Sequence, residues 1–269
     1  MQILLTISYD GTAYAGWQRQ QNAIAVQQRL EEALSALLGR PITTKAASRT
    51  DAGVHALGQK GSFFVDKINI PLNKLPQVLA SYLPGDISVT SAMPVCDCFN
   101  PRFDAVYKSY IYNMHSTPNP LINRYSSFVP MPLDIKAMEQ AAKAFIGRHD
   151  FAAFQATGSS AKTTVREIYN CCIASQPQSQ YFSCVNSQPQ YAVCTNIHKQ
   201  ITLSITGNGF LYNMVRIIAG TLMYVGLGKI TPEQIPEIIL SKDRKKAGKT
   251  MPPEGLILME VGYNQYAKN

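Results

Sequence analysis

One apolar stripe between residues 26 and 38 constrains the fold of the amino-terminal third of this chain. Its members are spaced at 0, +4, +7, +8, +11 and +12, and they are Val26, Leu30, Ala33, Leu34, Leu37 and Leu38. This spacing is that of one face of an α-helix, and Gly39 stands where a helix commonly ends in a left-handed residue. The stripe therefore predicts a helix over 26–38 that buries one face.

The segments around this helix predict a small α+β unit. Strands are predicted at Ile3–Tyr9, 42–47, Gln59–Val65 and Ile87–Met93, with a second helix over Pro76–Leu83. The resulting order, β-α-β-β-α-β, is that of a ferredoxin-like unit, in which helices cover one face of a sheet.

The second half of the chain has a similar order of elements without a sequence repeat. Asn100–Asp104 is the predicted connector, so we expect domains at 1–104 and 105–269. The later elements are predicted as a strand over Ala105–Met114, a helix over 134–147, strands over 164–169 and 201–205, a helix over 210–225 and a strand over 256–261. The predicted fold class is α+β, with two ferredoxin-like or RRM-like halves in a mixed, largely antiparallel sheet.

The stretch Ser48–Ala56 combines side chains that can do chemistry. If the preceding strand persists to Asp51, its period of two puts Arg49 and Asp51 on the same face. A guanidinium beside a carboxyl group lowers the carboxyl pKa, which offsets burial and keeps the group ionised. The residues alone leave open a second interpretation, an ordinary capped loop with a surface ion pair.

Tyr110 lies within the predicted strand over Ala105–Met114. A strand tyrosine is usually a packing residue, held by its cross-strand neighbours. The functional alternative is that its ring stacks on an unpaired base, as aromatic rings do in RNA-binding proteins.

Composition describes a globular, moderately basic protein. Hydrophobic residues make up 46% and charged residues 16%, and the net charge is +8 from 25 Lys+Arg against 17 Asp+Glu. A positive charge of this size suggests a polyanionic partner. The amino terminus has no basic leader, and no run of 18 apolar residues occurs, so we expect a cytoplasmic protein.

The six cysteines do not form a zinc signature. They stand at 96, 98, 171, 172, 184 and 194, without a Cys-x-x-Cys pair. Cys194 and His198 are four residues apart and could share one side of a helix, but a second ligand pair is missing. We therefore expect reduced, mostly buried thiols and no metal.

Seven segments, in order, are similar to motifs of the tRNA pseudouridine synthase I (TruA) family. They are Tyr9–Gln20, Arg49–His55, Asn100–Phe103, Lys108–Tyr112, Gly147–Phe151, Thr164–Ile168 and Gly207–Arg216. The resemblance spans essentially the whole chain. It implies a pseudouridine synthase fold with helices on one side of the sheet and an RNA-binding cleft.

The resemblance also implies an activity and its residues. Asp51 would be the catalytic carboxylate. The substrate-binding residues would be Tyr110 over the target uracil, Arg49 as a phosphate or base-flipping contact, Arg216 as ion-pair partner of Asp51, and Leu211. The reaction would convert uridine to pseudouridine at positions 38, 39 and 40 of the tRNA anticodon stem-loop, without cofactor or metal. Members of the family act as homodimers, so the implied partners are tRNA and a second copy, with no membrane.

The sequence departs from the family pattern in two places. Ser48 stands where many relatives have glycine, and about 176–199 looks like an insertion in which Ser175–Gln178 recurs as Ser187–Gln190.

Two rival functions remain open. A non-catalytic RNA-binding protein would share the basic charge and the α/β units. An aspartate-dependent hydrolase would need a second carboxylate or metal ligands, and 45–60 contains no acidic residue besides Asp51.

Overall fold

The computed structural model describes residues 1–158, 161–177 and 199–264. In these residues the strands are β1 (Gln2–Tyr9), β2 (Lys45–Ala46), β3 (His55–Phe64), β4 (Ile87–Val95), β5 (Ala105–His115), β6 (Ser127–Phe128), β7 (Gly147–Asp150), β8 (Val165–Pro177), β9 (Lys199–Gly207) and β10 (Leu256–Tyr263). The helices are α1 (Val26–Leu38), α2 (Leu75–Leu79), α3 (Ile135–Lys143), α4 (Met214–Gly226) and α5 (Gln234–Ser241). The α+β class predicted from the sequence is confirmed.

The chain divides into two compact units. Unit 1 contains residues 1–110, 206–209 and the described residues from 257 onward, and unit 2 contains the described residues of 111–205 and 210–256. These units are interleaved along the chain, and the predicted domain boundary at residue 104 stays a prediction.

Unit 1 has the predicted β-α-β-β-α-β order. Its sheet runs β4-β1-β3, and the outer edge of β3 is shared by two strands. β2 pairs antiparallel with it at Gly61–Ser62, whereas β10 pairs parallel with it at His55–Ala56. Ile3, Leu5 and Ile7 of β1 are fully buried. The helix α1 has the predicted bounds, and Gly39 ends it in the left-handed conformation at φ 67°.

Unit 2 is built on the strand order β5-β9-β8-β7, with β6 parallel to β5. The helix α3 packs against β8 and against α4, and α5 packs against β7. Nearly all of α4 is buried, which fits its continuous apolar sequence. Every helix in the described residues is too short to span a bilayer.

Several predicted elements differ from the structure. The strand predicted over 42–47 is reduced to Lys45–Ala46, and the loop that follows is held by contacts distant in sequence. The helix predicted from residue 210 begins only at Met214, because Asn213 is left-handed at φ 59°. The strands β6 and β7 and the helix α5 were not predicted. The insertion proposed at about 176–199 lies almost entirely outside the described residues.

The cysteines also depart from expectation. Cys96 and Cys98, two residues apart on a turn, form a disulfide with a Cα–Cα distance of 5.2 Å. Cys171 is buried and Cys172 is exposed. The expectation of reduced thiols is therefore wrong for Cys96 and Cys98 and confirmed for Cys171 and Cys172, of which only Cys171 is buried. Cys184, Cys194 and His198 lie outside the described residues.

Candidate active site

The aspartate loop (residues 47–54) joins β2 to β3 and carries two predicted site residues. Its start is tied to β3: the Ala47 amide donates to the Lys60 carbonyl at 2.9 Å, and the Gln59 side-chain amide donates to the Ser48 carbonyl at 2.8 Å. These bonds fix the loop backbone although it is not a strand.

The centre of the aspartate loop is held by Thr50. Its side-chain oxygen lies 2.7 Å from the hydroxyl of the buried Tyr9, and its carbonyl accepts from the amide of Trp17 at 3.1 Å. The Val54 amide then donates to the Asp51 carbonyl at 3.1 Å and closes a turn. Asp51 therefore sits on a backbone fixed on both sides, which orients its carboxylate.

The turn after β1 packs directly on the aspartate loop. A Cβ on Gly11 would lie 2.0 Å from the Val54 carbonyl oxygen, and one on Gly16 would lie 2.5 Å from that of Thr50. Gly16 is also left-handed at φ 93°. This contact explains physically why an Asp-Gly-Thr turn precedes the loop: only glycine allows the two backbones so close.

A buried histidine joins the two segments. His55 Nδ1 lies 3.2 Å from a carboxylate oxygen of Asp10 and 3.1 Å from the Gly11 amide. A neutral ring accepts at Nδ1 from Gly11, whereas a protonated ring donates from Nδ1 to Asp10. Sequence reasoning missed this pair, because it treated Asp10 only as a turn former and His55 only as part of a motif.

Tyr110 of β5 lies beside the aspartate loop within unit 1. The residue is 6% exposed, and its hydroxyl is 2.9 Å from the Ser48 hydroxyl. Burial raises the pKa of the Tyr110 phenol to about 12, while the Ser48 hydrogen bond opposes the rise and the Asp51 carboxylate adds to it. The phenol is therefore protonated at neutral pH, and it lies close enough to Asp51 to be affected by its charge.

Arg49 is exposed, unlike its neighbour Thr50, which is buried. The strand does not persist to Asp51, so the condition under which Arg49 and Asp51 would share a strand face is not met. Exposure nevertheless alternates along the loop, because Asp51 is half-buried. Within the part of the chain that the structure describes, no residue bonds to Arg49. Its guanidinium is available to an anionic ligand.

Arg216 and Leu211 belong to unit 2. Arg216, on the first turn of α4, donates from Nε to the Met251 carbonyl at 2.7 Å and from Nη1 to the Asn213 side-chain oxygen at 2.6 Å. Leu211 is buried in the turn that precedes α4. The structure thus brings Ser48, Asp51 and Tyr110 together, and the predicted pairing of Arg216 with Asp51 stays a prediction.

Other features of the described residues carry no role in this site. Residues 1–158, 161–177 and 199–264 contain no cluster of three His, Cys, Asp or Glu side chains that could hold a metal. A cavity of about 570 Å³ in unit 1 lies between α1 and the segment 81–84, and none of the predicted site residues lines it.

Comparison with known proteins gives one consistent result. A family model described as tRNA pseudouridine synthase matches residues 5–104 and 141–264. Proteins called tRNA pseudouridine synthase A are similar to the chain at 46% identity in Caldicellulosiruptor bescii, 42% in Ruminiclostridium cellulolyticum and 44% in Pelobacter propionicus. Each similarity covers 97% of this chain and 99% of the relative.

The fold and these matches define an enzyme of the isomerase class. The chain belongs to the tRNA pseudouridine synthase family, as the seven motifs indicated.

Proposed function

We propose that this protein converts uridine to pseudouridine at positions 38, 39 and 40 in the anticodon stem-loop of tRNA, with Asp51 as its catalytic carboxylate. The observation that carries the proposal is the position of Asp51 on a backbone bonded on both sides, beside the buried ring of Tyr110. The similarity to proteins called tRNA pseudouridine synthase A supports tRNA as the substrate.

The reaction is an isomerisation that needs no group donor. The C1′–N1 bond of uridine breaks, the uracil rotates, and a C1′–C5 bond forms; C5 then loses a proton, and N1 gains one. The target nucleotide must leave its stack to reach a carboxylate, at a cost of a few kcal/mol. Asp51 would meet C1′ or C6 as a nucleophile, or remove a sugar proton as a base.

The remaining predicted residues have roles that fit their surroundings. The Tyr110 ring would stack on the extruded uracil, with its hydroxyl anchored by Ser48. The exposed Arg49 would contact a phosphate of the target strand. Arg216 would pair with Asp51, favour the ionised carboxylate and stabilise charge on the detached uracil. Leu211 would contribute an apolar contact to the base.

The test replaces the carboxylate. Asp51→Ala and the nearly isosteric Asp51→Asn should both reduce pseudouridine formation to below about one thousandth of wild type, because both remove the carboxylate that reacts with the substrate. The assay measures the tritium released from tRNA whose uridines carry tritium at C5. Melting temperature and tRNA binding should change little, since Asp51 is only partly covered.

The rival functions predict different products, which chromatography of the digested tRNA separates. Substantial turnover by Asp51→Asn would contradict the assigned role of Asp51. Free uracil and abasic tRNA without pseudouridine would indicate a hydrolase, and tRNA binding without either product in the wild type would indicate a non-catalytic RNA-binding protein.

The proposal extends to the assembly and its location. A homodimer would let one tRNA contact both subunits, and a tRNA substrate would place the enzyme in the cytoplasm. Sedimentation of the purified protein as a monomer at assay concentrations would contradict the dimer.

A further inference from the structure

Asn213 has a conformation and a hydrogen bond that its place before α4 does not require. It is the residue that precedes the first turn of the helix, yet its side chain caps no helix amide. Its side-chain oxygen instead accepts from Nη1 of Arg216 at 2.6 Å, three residues further on. The acceptor is therefore diverted from the helix backbone to a guanidinium.

The backbone of Asn213 explains how this diversion arises. An asparagine before a helix normally has extended backbone angles and bonds to the second or third helix amide. Here the backbone is left-handed at φ 59°, a conformation that asparagine tolerates better than most residues. The left-handed turn aims the side chain away from the helix amides and at Arg216.

A second acceptor fixes the same guanidinium. The Met251 carbonyl accepts from Nε of Arg216 at 2.7 Å, and the Met251 amide donates back to the Arg216 carbonyl at 3.2 Å. The guanidinium is planar, with its five N–H donors in fixed directions. Two bonds from different nitrogens to acceptors in different segments therefore set both its position and the orientation of its plane.

The segment that supplies Met251 is itself held against α4. The Gly248 amide donates to the Thr221 hydroxyl at 2.8 Å, and a Cβ on Gly220 would lie 1.9 Å from the Lys249 carbonyl oxygen. Met251 is 1% exposed. The Met251 acceptor is thus fixed by backbone packing, whereas the Asn213 acceptor depends on a single side chain.

We propose that Asn213 is a positioning residue for Arg216, which it holds in the orientation needed for the reaction. This inference rests on the proposed function, in which Arg216 acts at Asp51 and the uracil. Asn213 would act through Arg216, by setting the direction of its guanidinium. A misplacement of about 1 Å in such a group can lower the rate about 100-fold.

The experiment separates the side-chain oxygen from the backbone conformation. Asn213→Gly keeps the left-handed backbone and deletes the acceptor, so we expect kcat to fall about 10- to 100-fold while KM for tRNA stays within about threefold. Asn213→Asp restores an oxygen at the same place and should recover at least about tenfold of the lost kcat. A purely structural role predicts equal losses for both variants.

Two further measurements complete the test. The Nε–H resonance of Arg216, assigned by its loss in Arg216→Lys, should be sharp in wild type and in Asn213→Asp, and broadened in Asn213→Gly. Thermal melting checks that each variant is folded. Asn213→Ser, whose side chain is too short to reach Arg216, replaces the glycine variant if that one melts below the assay temperature.

The outcomes distinguish this inference from the function on which it rests. An active Arg216→Ala enzyme would remove the assigned role of Arg216 and, with it, this proposal. Loss of activity in Arg216→Ala combined with wild-type kcat in Asn213→Gly would overturn the positioning role alone. An unrecovered kcat in Asn213→Asp would also overturn it.

Discussion

Tyr110 and Tyr112 show what single residues of one strand can and cannot reveal in the sequence. Both belong to the same alternating set of β5, and both are buried. The Tyr110 hydroxyl bonds to Ser48 of the aspartate loop, whereas the Tyr112 hydroxyl donates to the Pro252 carbonyl at 2.8 Å. Alternation gives the face on which a side chain lies; the segment opposite decides whether it serves packing or the site.

Substitutions at Tyr110 should separate its ring from its hydroxyl. Tyr110→Phe keeps the ring that would stack on the base, so we expect less than about a fivefold loss in kcat/KM. It loses one hydrogen bond, which costs about 0.5–1.5 kcal/mol of stability. Tyr110→Leu removes the ring and should lower kcat/KM about 10- to 100-fold, because stacking contributes about 1–3 kcal/mol per base. Steady-state kinetics with unmodified tRNA measures both.

The same variants have a predicted pH dependence. Because the pKa of Tyr110 is raised to about 12, the phenol stays protonated throughout pH 6–9. The pH profiles of wild type and Tyr110→Phe should therefore have the same shape in that range. A Phe variant as poor as the Leu variant would contradict a stacking role and point to the hydroxyl.

At the scale of elements, the aspartate loop depends on the turn that follows β1. The loop has almost no regular structure of its own, and its bonds to Tyr9, Trp17 and Gln59 replace it. The closest approach between the turn and the loop is at Gly11, whose Cα faces the Val54 carbonyl oxygen. A change in this turn should therefore reach Asp51 without any direct contact with substrate.

Gly11→Ala tests this dependence. The added Cβ would lie 2.0 Å from the Val54 carbonyl oxygen, so the two backbones must separate. We expect a loss of roughly 3 kcal/mol or more in the free energy of unfolding, typical of backbone strain at a fixed contact, with lower kcat. Urea denaturation followed by circular dichroism measures the stability.

Gly85→Ala is the matched control, because a Cβ there has nothing within 4 Å and its backbone is not left-handed. This variant should be neutral or slightly more stable, since alanine restricts the unfolded chain. Equal effects at Gly11 and Gly85 would show that the close approach of turn and loop is not needed for stability.

The sequence predicted best the elements whose signals are local. The bounds of α1 follow from its apolar stripe and from Gly39, and both are confirmed. The helix α5 was missed because Pro236 lies within its first turn and hides an otherwise regular apolar pattern. The length of the strand over 42–47 was overestimated because β propensity cannot report that the edge of β3 is shared with β10.

The residues of the candidate site, too, could be predicted only where their signals are local. Arg49 and Asp51 stand out in the sequence because they are two residues apart in one short string. Arg216 entered only through family resemblance, since no local pattern links it to the aspartate loop. Asp10 was missed because its partner His55 is distant in sequence. Asn213 was missed because its bond to Arg216, three residues away, depends on a left-handed backbone that residue spacing does not reveal.

For the whole molecule, the net charge of +8 overstates how many cations are available to RNA. Arg19 lies 3.3 Å from Glu31, and Lys60 donates to Thr6 at 2.6 Å. Burial also lowers the pKa of Lys60. Lys242 pairs with Asp150 at 2.8 Å. Lys60 is therefore committed to the fold, whereas Arg19 and Lys242 form ion pairs and are still more than half exposed.

The loop after α5 has better-placed cations. Arg244 donates to the Gly248 carbonyl at 2.8 Å and to the Thr250 hydroxyl at 3.1 Å, so it closes the loop and does not extend into solvent. Lys245 and Lys246 are exposed on the loop thus closed. A fixed loop that presents two ammonium groups suits the phosphates of a tRNA backbone.

Removing these two charges should weaken tRNA binding and leave chemistry unchanged. For Lys245→Ala/Lys246→Ala we expect Kd to rise about tenfold at low salt and kcat at saturating tRNA to stay within about twofold. Each lost phosphate contact should also reduce the slope of log K against log salt by about 0.7–0.9. Filter binding over a range of salt concentrations measures both quantities.

Lys136→Ala/Lys143→Ala is the matched control, because it removes the same charge from exposed positions on α3 of the same unit. A general electrostatic attraction between a basic protein and RNA would weaken binding equally in both pairs, since it depends on total charge. Direct phosphate contacts by the closed loop would change the salt slope only for Lys245 and Lys246. Equal slopes in the two double variants would therefore contradict an RNA-binding role for this loop.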